Sequence, residues 1–545
     1  MSSLLPLMIT LLFLSALVIY TMKRVEVANP ALILAILPTT IFVILFKELI
    51  ALDQHNLVLI ESGWGFMKSM EFTWRLDGLS IIFALIISGV GALVLIYSYY
   101  YMADYQRKGY FYTYLMIFMG SMLGLVLTDN LMILFIFWEL AGISAFFLIG
   151  FHHHLRKIRQ AALQALLVNS FGGLALLFTV ILTGNIAQTY SISQLLDSSI
   201  HLGNHPYYYI ILTLVLIAAI TKSAQFPFHF WLPRSMMSPS PVNIYLYSAT
   251  LVNMGVFLLF RLHPIMGGTF IWRYVLILMG GISMFLGAFL AIGQRNLKRI
   301  LAYTTISTLG IMVLLIGMDT PVSLKAALLL FIIHALYKGS LFMVAGNVYK
   351  STGTHKLYRI GGMLRHLPIT AMVTLSALVL MAGLPMLSSI GKDLIYDAKI
   401  QIPVLKWLLI PLGVGTNILM VAISIVLIFE LFIKRKTAQS SPIKLSERNF
   451  PTFFLAAPII LGVVALVLGI APAILELPIT NALYYVHSRI VYSDLSLWHG
   501  LNEALLLNIF TVLSGVLVFL IRRPISFQIF RLKKWVDNLK NKYRQ

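Results

Sequence analysis

The chain is 545 residues long, 59% hydrophobic and 11% charged, with a mean hydropathy of +0.91, whereas soluble globular chains average roughly 45–50% apolar and about 25% charged residues. That balance excludes a soluble enzyme or binding module and defines an integral membrane protein. The absence of cysteine excludes disulfides, thiolate metal sites and haem attachment through Cys, and a net charge of +21 in such a chain encodes topology and contact with anionic lipid rather than nucleic-acid binding.

Apolar runs of about twenty residues, enough to cross a hydrocarbon core, recur along nearly the whole chain. Ten-residue alternating strands are absent, so the runs are predicted to be helices, which satisfy their own backbone amides in lipid. In chain order fifteen such segments fall at 4–22, 29–48, 78–100, 111–128, 130–150, 162–184, 208–227, 242–262, 272–293, 299–317, 325–348, 369–391, 404–432, 453–473 and 501–521. The first lacks a basic n-region before it and an A-x-A-like site after it, so it reads as a helix and not a secretory signal. With the N-terminus outside, most of the 40 lysines and arginines lie in the loops and tail on the cytoplasmic side; the reverse orientation contradicts the positive-inside rule. The segment "RRPISFQIFRLKKWVDNLKNKYRQ", 522–545, reads either as a basic amphipathic helix on the membrane surface or as a solvated tail. The stretches near 50–76 and 474–500 have the length of lids or contact surfaces. There is no Walker loop or dinucleotide fingerprint, so ATP-driven transport within the chain is not expected.

Charges inside apolar spans are unfavourable by a few kcal/mol at the helix centre, so each requires a reason. Glu139 sits within "LMILFIFWELAGIS" and Lys222 within "ITKSAQFPFHFWLP". Lys338 lies in "FIIHALYKGSLFMV", with His334 four residues earlier on the same helical face. Lys298 stands where "QRNLKRILAYTT" enters the tenth segment, and Lys392 with Asp393 closes the twelfth. Taken singly, Glu139 or Lys222 also fits a structural ion pair, Lys298 or Lys392 an interfacial snorkelling lysine, and His334 a packed polar residue. Taken together, an acid, several lysines and a histidine at mid-depth are what lateral proton transfer requires. An acid–lysine pair also acts as a switch, because the carboxylate holds the ammonium charged and its withdrawal releases the proton.

Pro227 and Pro233 interrupt the seventh segment, while Gly383 and Pro385 interrupt the twelfth. Broken helices at corresponding positions of two halves point to an inverted-repeat transporter. The expected fold is an all-α polytopic bundle of about fifteen spans. Helices 1–3 occupy 1–110, a first five-helix repeat 111–262, a second, of opposite topology, 263–433, and helices 14 and 15 434–521.

The words around these charges, "FTWRLDGLSIIFALIISGVGALVLIYS", "GSMLGLVLTDNLMILFIFWELAGISAFFLIGF", "TKSAQFPFHFWLP", "SPSPVNIYLYSATLV", "LKRILAYTTISTLG", "HALYKGSLFMVAGNV" and "GTHKLYRIGGMLRHLPIT", resemble in order the antiporter-like subunits of respiratory complex I. Within that family the chain is most similar to the large subunit of Mrp-type multisubunit cation/proton antiporters, over roughly residues 70 to 520. The resemblance implies a proton-translocating chain that exchanges Na⁺ or another cation for protons in company with other membrane subunits, in the plasma membrane of a prokaryote. It assigns Glu139 as the fifth-helix acid, Lys222 as its lysine partner, Lys298 and Lys338 as central-axis lysines with His334 beside them, and Lys392 as the twelfth-helix lysine. Protons, a monovalent cation and membrane lipids are the implied partners; no cofactor, metal or catalytic chemistry is expected.

Some positions depart from that pattern. Arg234 stands where these subunits usually carry an acid, Tyr247 replaces a histidine, and Asn253 replaces an eighth-helix lysine, which removes one titratable link of the relay. Such subunits also continue beyond the point where this chain ends, into further helices and a fused small subunit. Asn253 resembles instead a sister group whose members pair with a large zinc-binding protein to take up dissolved inorganic carbon, so a proton-driven bicarbonate or CO₂ uptake subunit is the alternative. A degenerate scaffold subunit is the third reading. "FHHHLRKIR" at 151–159 is the histidine cluster of the chain, but adjacent helical histidines point apart, a poor metal site.

Overall fold

A computed structural model describes residues 4–22, 29–55, 59–61, 71–197, 203, 205–384, 387–400, 406–434, 441–442, 446–487, 495 and 503–521. Pro385 and the basic tail at 522–545 therefore lie outside the described residues. Fourteen helices are long and apolar enough to cross a membrane, and Tyr208–Lys222 is a shorter apolar helix. Together these account for the fifteen apolar segments of the sequence.

We number the helices α1 (Leu4–Met22), α2 (Ala31–His55), α3 (Gly78–Tyr101), α4 (Lys108–Leu127), α5 (Leu131–Ile149), α6 (Arg156–Ala187), α7a (Tyr208–Lys222) and α7b (Trp231–Ser235). They continue with α8a (Ser240–Ile244), α8b (Met254–Met266), α9 (Phe270–Ile292), α10 (Leu297–Met318), α11 (Pro321–Thr352), α12a (Pro368–Ala382), α12b (Leu387–Ile400), α13 (Lys406–Ile428), α14 (Thr452–Ile470) and α15 (Glu503–Leu520). Three boundaries move appreciably from expectation, the first being the end of α2 at His55 rather than near 48. α6 starts at Arg156, because the polar first turn "RKIRQ" continues the helix beyond the apolar stretch, and α12b runs on to Ile400.

The α8 span is buried throughout its apolar window and α10 and α11 over 94% of theirs, against 33%, 28% and 22% for α1, α2 and α15. The eighth, tenth and eleventh spans are therefore the core of the bundle and the terminal spans its rim. α11 is 32 residues long, starts at a capping box in which Thr320 accepts from Ser323 N, and ends at Gly353 in the left-handed conformation. At 1.5 Å per residue it is about 48 Å long. α9 and α10 approach closely through glycines: a Cβ on Gly280 would lie 2.5 Å from Leu314 N, and one on Gly310 2.5 Å from Met284 N. Small residues give such backbone-to-backbone contact between membrane helices.

At the end of the bundle that carries the loop before α3, a two-stranded antiparallel ribbon pairs β1 (Leu59–Glu61) with β2 (Trp74–Leu76), Ile60 opposite Arg75. β2 delivers Arg75 to Asp77, the N-cap of α3. The Asp77 carboxylate accepts from Ser80 N at 2.9 Å, from Arg75 Nε at 2.7 Å, and from both terminal nitrogens of Arg261 on α8b, 184 residues away. Burial pushes this carboxyl up, but Arg261 and Arg75 outweigh it and hold it well below the usual carboxylate range. Asp129 ties the same region to the loop after α6, through Ser191 Oγ at 2.8 Å and Ser193 Oγ at 2.7 Å. The helix Glu476–His487, which falls in the stretch expected to be a lid or contact surface, packs its backbone at Asn481–Ala482 against Gly78. At the opposite end, buried Glu447 caps α12a by accepting from Ile369 N at 2.7 Å and Thr370 N at 2.8 Å.

Candidate ion-translocation site

The seventh span stops at Lys222, its last helical residue. The chain then passes through Ser223–Pro227, a 3₁₀ turn at Phe228–Phe230, and α7b. The interruption thus lies at Ser223–Pro227. Pro233 is buried inside α7b and does not end it. The last carbonyls of a helix lack partners and carry the negative end of its dipole, which favours a cation in the final turn. In α7a those carbonyls are taken by Ser223 N, Gln225 N and Trp231 Nε1, and the ammonium of Lys222, in the final turn, donates to Trp138 O of α5 at 3.0 Å and stands 4.6 Å from the centre of the Trp138 ring.

Glu139, the next residue on α5, is only partly buried and its carboxylate rests against Gly173 of α6. It interacts electrostatically with Lys222 but forms no ion pair with it within 4.0 Å. Gly142 leaves room beside the ammonium, its absent Cβ lying 3.7 Å from Nζ.

The eighth span contains an interruption with no mark in the sequence. Between α8a and α8b the backbone widens into a π-turn at Tyr245–Ala249, leaves helical geometry at Thr250 and tightens into a 3₁₀ turn at Leu251–Asn253. Tyr247 donates its hydroxyl to Ser235 Oγ at 2.6 Å, which ties this turn to the end of α7b. Asn253 donates to Ser248 O at 3.0 Å, taking up a carbonyl that the broken helix would leave open. Both residues that depart from the family pattern are thus fully buried hydrogen-bonding groups of the eighth-helix break. Arg234, the third departure, lies on the surface and donates to Gln164 Oε1 at 2.7 Å.

Lys298 is the second residue of α10, at the end of the bundle rather than halfway through it. It is buried, donates to Ser238 O at 2.8 Å and neighbours His355. Lys338 of α11 is fully buried and donates to Leu301 O at 3.0 Å and to Thr304 Oγ1, both on α10. His334, one turn earlier, is also fully buried, and neither ring nitrogen has a hydrogen-bond partner among the described residues.

The twelfth span breaks where α12a ends at Ala382. Gly383 follows at φ +70°, a left-handed conformation that glycine adopts without the strain a side chain brings. Its missing Cβ also leaves the space taken by the Lys392 side chain, whose Nζ donates to Ala382 O. The Lys392 ammonium of α12b thus caps the C-terminus of α12a. Asp393 adjoins it and interacts with its charge.

One arrangement recurs through the site. Lys222, Lys298, Lys338 and Lys392 each donate to a main-chain carbonyl, and among the described ion pairs none joins any of them to a carboxylate. Three of these contacts involve a helix terminus or the turn between broken segments. Lys298 and Lys338 rest on neutral oxygens, whereas Glu139 and Asp393 also act on the charges of Lys222 and Lys392.

A further buried lysine escapes sequence reasoning. Lys399 on α12b is 1% exposed and lies 5.7 Å from the Tyr396 ring centre and against Gly413 of α13. Its signal is the seven-residue spacing from Lys392, two turns on one face, hidden because the apolar run itself ends at 391. The Asp77–Arg75–Arg261 group likewise escapes, because its members stand at or next to the ends of apolar segments in the sequence. The histidines 152–154 stand in a turn with ring centres 5.8 Å and 6.5 Å apart, and no group of three or more metal-ligating side chains is gathered among the described residues.

Fold and site define a polytopic helical membrane protein with buried ionisable groups, two of them at interruptions of its helices, a feature found in secondary transporters. Residues 128–420 match the family described as NADH:quinone oxidoreductase/Mrp antiporter, TM, and residues 65–112 match the N-terminal part of chain 5 of complex I. The chain belongs to this family. It is 40% identical over 465 residues to a probable K⁺/H⁺ antiporter subunit of Rhizobium meliloti, covering 83% of this chain and 46% of that one. It is 32% identical over 537 residues to an Na⁺/H⁺ antiporter subunit of Alkalihalophilus pseudofirmus, covering 92% and 66%. The structure of the Mrp complex from Dietzia sp. aligns with a TM-score of 0.83 at 29% identity, covering 98% of this chain and 60% of that one. The chain thus spans about half to two thirds of the length of these relatives.

Proposed function

We propose that the chain is the proton-translocating, antiporter-like membrane subunit of a multisubunit secondary transporter that exchanges protons for a monovalent cation, Na⁺ before K⁺. The observation that carries this reading is the set of four buried lysines held on main-chain carbonyls, Lys222 and Lys392 at helix interruptions and Lys298 and Lys338 on the tenth and eleventh spans, with Glu139 beside the first of them. Protons pass between Glu139, Lys222, the His334–Lys338 pair and Lys392 through water admitted where α7, α8 and α12 unwind. Lys298 and His355 form the entry from the basic end of the bundle. At the α8 break Tyr247 and Asn253 are neutral, so transfer there runs through hydroxyls and water rather than a lysine.

The partners are the other membrane subunits of the complex. The N-terminus lies outside and the long basic end inside, supported by the excess of lysine and arginine in the loops at that end. Residues 111–262 and 263–433 form two units of opposite topology, supported by the breaks five spans apart.

The test uses everted vesicles holding the full complex and a quenched pH dye. Added Na⁺ or K⁺ restores fluorescence with the unaltered chain, and Lys222→Ala lowers the initial rate at least about tenfold. Equal rates for the two would refute the reading.

A further inference from the structure

At one end of the bundle the start of α4, the end of α5 and the start of α6 enclose a cavity of about 580 Å³, within the range of small-molecule sites. Its mouth carries Arg107, His153 and Arg159, and no acidic side chain lines it. Neither arginine has an ion pair or side-chain hydrogen bond among the described residues. The nearby carboxylate of Asp104 is taken by Lys350 at 3.0 Å. Below the mouth the wall is aromatic. Tyr114 of α4 and Phe147 of α5 stack at 4.6 Å between ring centres, with Phe146 beside them, and Phe147 is 41% exposed. Gly150 and Ala162 keep the interior open. The cavity is thus cationic where the helices end and apolar where they enter the bilayer.

The helix starts that frame it are unusual. A helix N-terminus ordinarily receives a side-chain cap and favours acidic residues in its first turn. α4 begins after Arg107, itself in the left-handed region at φ 62°, and α6 after Leu155; neither has a side-chain cap or an acid in its first turn. The first turns carry Lys108, Arg156, Lys157 and Arg159 instead. Two uncapped positive dipole ends and the two arginines of the cavity lining therefore converge with no acidic side chain in that lining.

We propose that this cavity binds one anionic phospholipid of the cytoplasmic leaflet, its phosphate on Arg107 and Arg159 and an acyl chain along the Tyr114–Phe147 wall. Arginine forks match phosphate oxygens in pairs, and basic pockets between membrane helices on the cytoplasmic side suit such headgroups. The leaflet assignment rests on the orientation proposed above; binding itself does not, since it is read in solution without transport.

The full chain, purified in detergent, is exchanged into mixed micelles with equal amounts of phosphatidylglycerol and phosphatidylcholine, and retained lipid is counted by native mass spectrometry. The unaltered protein retains phosphatidylglycerol over phosphatidylcholine. The double variant R107A/R159A lowers that retention about tenfold or more, each basic residue contributing several-fold near an anionic lipid. Ala162→Phe, which fills the cavity, does the same, while Lys157→Ala, on the same helix turn outside the cavity, leaves it unchanged. Retention of both lipids alike, no loss in R107A/R159A, or displacement of the lipid by inorganic phosphate would overturn the proposal. A benzophenone side chain placed at Phe147 in the assembled complex labels lipid on illumination; a protein adduct there means that a neighbouring subunit fills the cavity and the proposal fails.

Discussion

Replacing Asp77 removes the group on which α3, α8b and the β2 strand meet, and its consequence follows from the contacts. The carboxylate serves two guanidinium groups and the Ser80 amide, and Asp77, Arg75 and Arg261 are 0%, 4% and 4% exposed. In Asp77→Ala, Arg75 keeps Ser193 Oγ at 2.7 Å and Asp129 at 3.7 Å, whereas Arg261 loses its ion pair. Leaving one buried charge without its partner is unfavourable by about 3–5 kcal/mol, and loss of the N-cap adds about 1 kcal/mol. Asp77→Asn separates the two contributions, because the amide oxygen still accepts from Ser80 N while the charge is gone. The expected order of stability is native, then Asn, then Ala, with about 3 kcal/mol or more in the first step and about 1 kcal/mol in the second. Thermal unfolding in detergent, followed by tryptophan fluorescence and by retention of the monodisperse peak on gel filtration, reads the order. Because the carboxyl is held low, this stabilisation is complete above the unfolded carboxylate range and is lost only as pH falls toward the folded value, so the ranking is the same at pH 5 and pH 8. Asp77→Asn within about 0.5 kcal/mol of the native chain, or a double variant with Arg261→Gln as destabilised as the sum of the single changes, would refute the ion-pair argument.

Gly383→Ala forces a side chain into a left-handed conformation and into the space of Lys392, so we expect about 1–3 kcal/mol of destabilisation and loss of transport at wild-type expression, measured by the vesicle assay. Lys392→Met, which keeps the bulk but not the donor, lowers transport while preserving the gel-filtration profile; unchanged transport would remove Lys392 from the pathway. His355 gives a pH test. Burial first, and the Lys298 charge second, hold its imidazole well below the usual range. Between that folded value and about pH 6.5 the unfolded chain binds more protons than the folded one, so stability is full above about 6.5 and falls as pH drops through this window. His355→Gln flattens that slope in thermal unfolding measured from pH 7.5 to pH 5.

The spans are legible because an apolar run of span length has few other uses, and fifteen runs correspond to fifteen helical elements. The break after Lys222 is legible because Pro227 cannot continue a helix, although Pro233 proves compatible with a short one near its start. The α8 break carries no such mark. "YLYSATLVN" contains neither proline nor glycine, and its π-turn arises from tertiary contacts, Tyr245 with Ile87 O at 3.0 Å and Tyr247 with Ser235. Lys222, Lys338 and His334 stand out because they interrupt apolar sequence. Lys399, Arg261 and Glu447 do not, because they sit at segment ends where charge is ordinary, and only the folded chain reveals their burial. That Lys222 rests on a carbonyl rather than on Glu139 is likewise invisible, since spacing cannot distinguish a salt bridge from a neighbour at greater range.

α11 runs unbroken past the kinked spans and carries His334 and Lys338 close to its midpoint. Its angular phase is therefore set over many turns: a single extra residue on one side of His334 would rotate the far half by about 100° and advance it about 1.5 Å. Lys338 would then swing away from Leu301 and Thr304 while the helix itself remained intact. The spans that unwind can change shape locally, but they do so around a shaft whose indexing tolerates no such slip.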